Sequence, residues 1–147
     1  MRVSTLAPAA LALAMPTIAA AQEPVQTGRA AQTSDSVDQA KIEAIQRHVD
    51  AYRSGDLDRF VATFTHDAIV RADGFVAMGR PQIRAMYELN FLPGAPTLKV
   101  YDSGVKGDNV FLSLGYVFEG GQEMCCSYTE YQVTADGKVS FLETSSG

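Results

Sequence analysis

At Pro93-Gly94-Ala95-Pro96 the hydrophobic period of this chain changes. Before that point apolar residues recur every three or four positions; after it they alternate with polar ones, the repeats of helix and strand respectively. Ile45, His48, Val49 and Tyr52 fall at i, i+3, i+4 and i+7. Ser36 with Gln39 three positions on predicts an N-cap, and Gly55 stops the helix after Ser54. Asp56 predicts the cap of a short second helix whose stripe is Leu57, Phe60, Val61 and Phe64. A strand over 68–71, a turn at Ala72-Asp73-Gly74 and a return strand from Phe75 to Met78 follow. Gly79 breaks that strand, and Pro81 at a first helical position opens a third helix carrying Ile83, Met86, Tyr87 and Phe91.

Beyond Pro96, Leu98 and Val100 alternate with polar neighbours, and a turn at Gly107-Asp108-Asn109 leads into a strand over 110–118. Further strands are predicted over 124–134 and 138–144, separated by Ala135-Asp136-Gly137. Three helices packed on a curved, mostly antiparallel sheet make an α+β architecture with a concave face.

The first residues read as an address. Arg2, an apolar run over 6–18 and Ala19-Ala20-Ala21 have the pattern of a cleaved secretory signal, residues 1–21. The run is shorter than the roughly 20 residues a membrane span needs and contains Pro8 and Pro16. Residues 22–34 carry no sustained apolar period and read as a flexible tether, leaving 35–147 as one small domain. The expected location is periplasmic or secreted, with no membrane attachment after cleavage. The chain has 12 basic and 17 acidic residues; losing Arg2 leaves 11 against 17, or −6. Without a cluster of Lys and Arg, nucleic acid and anionic membranes are poor partners.

His48 sits on the apolar side of its helix. A buried imidazole needs a hydrogen-bond partner or a polar cavity, because an unsatisfied buried group costs about 1–3 kcal/mol. Both readings stand: a core histidine satisfied by a neighbour, or one lining a pocket. Cys125 and Cys126 are adjacent. Strand neighbours point to opposite faces, so two separate thiols are expected, one buried and one facing a pocket, a partner or the other sheet face. A vicinal redox disulfide is the alternative. With only His48 and His66 besides, no closely spaced ligand set is present, so no metal and no cofactor are expected.

Helix, Gly-Asp-Leu-Asp at 55–58, Phe-x-x-Asp-Ala at 64–68, a hairpin, Gly-Arg at 79–80 before a third helix and a strand meander together form a recognisable order. It resembles the nuclear transport factor 2-like superfamily, with its SnoaL-like and ketosteroid-isomerase-like members, over residues 37–146. The resemblance implies a cone-shaped roll of cystatin-like topology whose mouth admits a small, usually apolar ligand. It also implies pairing of two copies through the outer sheet face, where Glu130 would meet solvent or a dimer partner.

Bacterial ketosteroid isomerases, which residues 45–70 especially resemble, use a tyrosine and a protonated aspartate as oxyanion donors and an aspartate as base. Carried onto this chain, those positions are His48, Thr129 and Ala72, all of them different. Asp73 lies one residue beyond the base position and is the candidate acid or base beside His48. The cavity wall implied by the resemblance consists of Leu112, Leu114 and Tyr116, then Ser127, Thr129 and Tyr131, then Leu142, facing Tyr52 and Phe64 from the helices. The same stripes also suit an ordinary core. The resulting expectation is a domain binding a small apolar or carbonyl-bearing molecule without efficient ketosteroid isomerase chemistry. The alternatives are a cofactor-independent isomerase, lyase or cyclase using His48 for proton transfer, and a non-catalytic dimerisation module. Mass spectrometry of exported protein is expected to find the chain beginning after Ala21; an intact Met1 would refute the signal reading.

Overall fold

The computed structural model describes residues 27–147. The expected signal, residues 1–21, and the first part of the expected tether, residues 22–26, lie outside the described residues. Helix α1 runs Thr27–Arg53, followed by α2 (Leu57–Val61), β1 (Phe64–Ala72), β2 (Phe75–Met78) and α3 (Gly79–Tyr87). A 3-10 turn (Glu88–Phe91) then leads into β3 (Thr97–Lys106), β4 (Asn109–Val117), β5 (Glu123–Val133) and β6 (Val139–Ser146). The six strands form one sheet in the order β2-β1-β6-β5-β4-β3. Every pairing is antiparallel except β1 with β6. This is the α+β arrangement the change of period predicts.

Local differences from the sequence reading have physical causes. Helix α1 begins before Ser36, whose hydroxyl bonds back to the Thr33 carbonyl at 2.8 Å in place of capping the helix. The Gly55 stop and the Asp56 cap are present: Gly55 has φ +72°, and the Asp56 carboxylate accepts from the Arg59 amide at 3.0 Å. Strand β1 starts at Phe64, not Ala68, because Phe64 already pairs with Val139 before the register shift that precedes Ile69. The third helix opens at Gly79, and Phe91 belongs to the 3-10 turn that follows it.

The cysteines correct the expectation of separate thiols, one of them buried. Both are exposed, and a disulfide joins them. The β4–β5 register shifts here: Leu114 faces Ser127 while Gly115 faces Cys125, so Cys126 is the extra residue of a bulge. The alternation that would set neighbours on opposite faces is broken at that residue.

The core lies between the helices and the inner sheet face. Ile45, Val49, Phe60, Phe64, Val70, Val110, Leu112, Leu142 and Ile83 are all buried there. On the outer face two glycines make room for rings. A side chain at Gly104 would meet the Phe111 ring at 2.7 Å; one at Gly115 would meet both the Tyr101 ring and the Met124 carbonyl at 2.7 Å. A ring can swing aside but a strand carbonyl cannot. Gly115→Ala is therefore expected to destabilise the fold by about 1–3 kcal/mol, and Gly104→Ala by less, in urea unfolding monitored by circular dichroism.

Candidate functional site

His48 projects from α1 into the deep end of the space between helices and sheet and is 3 % exposed. Its Nδ1 lies 2.7 Å from the Thr63 hydroxyl, which donates its own proton to the Phe60 carbonyl at 2.6 Å. With that proton committed, the hydroxyl can only accept from His48, so Nδ1 carries the hydrogen and Nε2 keeps a bare lone pair. The rings of Phe60, Phe64 and Tyr131 surround the imidazole at 4.8, 5.0 and 5.5 Å. Burial among them lowers the His48 pKa to about 3. The imidazole is neutral at physiological pH and a weak base, unlike a histidine poised near 6.5.

A cavity of about 40 Å³ opens beside it. From the predicted wall, Tyr52, Leu114, Tyr116, Ser127, Thr129, Tyr131 and Leu142 line it together with His48. Two predicted members stand elsewhere. Phe64 is wholly buried, its ring packed edge-on against His48 and Phe60. Leu112 lies farther along β4, where it lines a separate groove of about 360 Å³ with Ile45, Val49 and Val100. Sequence reasoning missed Phe60, Tyr87, Leu98 and Thr144, which also line the cavity. Each had a signal: Phe60 and Tyr87 sit on predicted helical stripes, Leu98 alternates on β3, and Thr144 stands two residues from Leu142.

The lining is apolar with many hydroxyls and, among its residues, no carboxylate. Thr129 donates to Thr144 at 2.9 Å across β5 and β6. Asn90 donates to the Tyr52 hydroxyl at 3.1 Å. Burial raises the pKa of Tyr52 in spite of that bond, and burial likewise pushes Tyr87 and Tyr131 far up. Tyr116 is raised by burial first and then by the nearby charge of Asp73. All four phenols are therefore neutral hydrogen-bond donors at physiological pH, the kind of group that holds a carbonyl oxygen.

Asp73 is not beside His48. It occupies the β1–β2 turn at φ +47°, exposed, and its carboxylate accepts from the Ser146 hydroxyl at 3.0 and 3.2 Å at the far end of β6. That places it on the rim of the wide end, near Tyr116. The hydrogen-bond partner that His48 does have is Thr63. Asp73 also lines a cleft of about 510 Å³ with Ala72, Phe75, Val76, Ala77, Gln82 and Met86. Ala72 of the cleft pairs with Thr144 of the inner cavity, and the charge of Asp73 reaches Tyr116.

No family model matches this chain, and no curated protein matches it. Solved structures do. The epoxide hydrolase/cyclase-like enzyme SalBIII, of pyran ring formation in the polyether salinomycin, superposes with a TM-score of 0.65 at 18 % identity, covering 74 % of this chain and 92 % of that one. A Mycobacterium tuberculosis protein in complex with estradiol-17beta-hemisuccinate gives 0.58 at 16 %, covering 74 % and 94 %. An NTF-2 like protein of unknown function from Burkholderia xenovorans gives 0.58 at 21 %, covering 73 % and 82 %. The chain thus has the fold of the nuclear transport factor 2-like superfamily.

Because the native His48 resists protonation while an unfolded one titrates near 6.5, the unfolded state binds the extra proton first as pH falls. The contribution of this group is complete above about pH 6.5 and declines by up to about 1.4 kcal/mol per pH unit toward its folded value. His48→Phe is expected to flatten the stability profile between pH 6.5 and 4 relative to wild type, as read by urea unfolding at stepped pH. Equal slopes would show that His48 is accessible to protons in the native state.

Proposed function

We propose that this chain is a small-molecule-binding domain whose ligand straddles the wide end of the cone. The observation that carries this reading is a hydroxyl-lined cavity of 40 Å³ and an apolar cleft of 510 Å³ bordered by paired residues, Thr144 in the one and Ala72 in the other. The inner cavity is far below the roughly 300 Å³ of an ordinary ligand pocket, so it takes only a carbonyl or hydroxyl end. The apolar body then rests on Phe75, Ala77 and Met86 at the hairpin. Structures of the same fold are in keeping with this: one holds estradiol-17beta-hemisuccinate, and another is a computationally designed 17-OHP binder.

Binding without efficient ketosteroid isomerase turnover is the favoured form of this function. Ala72 cannot accept a proton, Thr129 spends its hydroxyl proton on Thr144, and the deeply buried His48 is too weak a base for the task. A missing positioned base ordinarily forfeits about 10²–10⁴ in rate. The signal-like start supports export to the periplasm or beyond. The outer sheet face exposes Val76, Met78 and Tyr128, which supports pairing of two copies there.

Isothermal titration calorimetry with a panel of steroid ketones is expected to give saturable binding. Tyr116→Phe should weaken it about fivefold, the loss of one neutral hydrogen bond of about 1 kcal/mol. Phe75→Ala should weaken it without unfolding the domain, since Phe75 is 73 % exposed. A β,γ-unsaturated ketosteroid should be bound and not rapidly isomerised. Absence of saturable binding, or an affinity indifferent to both variants, would overturn the reading.

A further inference from the structure

The Cys125–Cys126 disulfide serves neither the core nor the cavity. It joins consecutive residues, so it closes no loop of intervening chain. The stabilisation a disulfide gives by restricting the unfolded chain grows with the loop it closes and is negligible here. Both cysteines are exposed, and exposed disulfides are the ones that exchange with external thiols. The pair occupies the β5 bulge, with Cys125 opposite Gly115. It is also on the rim: Ser127, the next residue, lines the cavity, and the Gly147 amide donates to the Cys126 carbonyl at 3.3 Å.

We propose that Cys125 and Cys126 form a thiol–disulfide exchange centre whose substrates are low-molecular-weight thiols and their disulfides. In the reductive direction a small thiolate attacks one protein sulfur, the sulfur–sulfur bond breaks, and the other cysteine leaves as a thiolate that takes up a proton. A second small thiolate then attacks the mixed disulfide, releasing the small-molecule disulfide and freeing the remaining cysteine as its thiol. Two electrons pass from two small thiols to the protein disulfide, and the two thiol protons end on Cys125 and Cys126. Because the fold does not depend on the bond, the centre cycles without unfolding the domain.

The test is equilibration of the folded chain in buffers of graded reduced to oxidised glutathione, quenching with N-ethylmaleimide and intact-mass measurement. The expected result is a chain carrying either no maleimide or two, switching between them within the series. The melting temperatures of the two forms should agree within about 3 °C, less than 1 kcal/mol for a domain of this size. Cys125→Ser and Cys126→Ser should each leave one thiol that takes a single glutathione. A folded chain that stays oxidised at every ratio, or stays reduced at every ratio, would overturn the proposal. So would a domain that melts on reduction, or a single-cysteine variant whose thiol takes no adduct.

Discussion

The ring of Phe60 is the contact on which the helical layer depends. It lies 4.8 Å from His48, 5.4 Å from Tyr52, 5.3 Å from Phe64, 4.9 Å from Tyr87 and 5.3 Å from Phe91. Those partners belong to α1, β1, α3 and the 3-10 turn, so one residue of a five-residue helix holds four elements together. A helix that short has little stability of its own; packing holds it in place. Its ends are fixed from outside: Asp56 caps it, and the Arg84 guanidinium pairs with Asp58. Arg80 donates to the Phe64 carbonyl and Lys138 to the Ala62 carbonyl, tying down the chain between α2 and β1.

This aromatic packing also decides the chemistry of the site. Filling the deep end with rings strips water from His48, and the charged imidazole becomes too costly to form. The group the sequence offers as the obvious acid–base residue is thus made neutral by the same contacts that complete the core. What space remains is lined by Tyr116 and Ser127, with the charge of Asp73 close enough to act on Tyr116. Neutral donors inside and one carboxylate at the edge favour recognition of a polar end of an otherwise apolar molecule.

The outer face follows a different logic. Phe111 lies over Gly104 and stacks on Tyr128 at 5.8 Å, Tyr101 lies over Gly115, and the Arg71 guanidinium stands 5.6 Å above the Phe141 ring. Glycines in neighbouring strands give these rings somewhere flat to lie, so part of the apolar surface is covered by the protein itself. Val76 and Met78 near the sheet edge have no such cover, being 55 % and 61 % exposed.

How much was legible in advance follows from the range of each interaction. Periodicity, turn residues and the Asp56 cap are local, so the sequence alone determined the helices, the strand meander, the α+β class and most of the side chains that face inward. Strand β1 extends beyond its local pattern because its first residue pairs in parallel with Val139, far along the chain. The disulfide escapes the local pattern because alternation fails at a bulge whose position depends on β4. Only tertiary structure decided which of Leu112 and Thr144 reaches the cavity, how little volume the rings leave, and that His48 at the cavity wall is hydrogen-bonded to Thr63. Those outcomes depend on how side chains from distant elements fill one shared space, which no local pattern records.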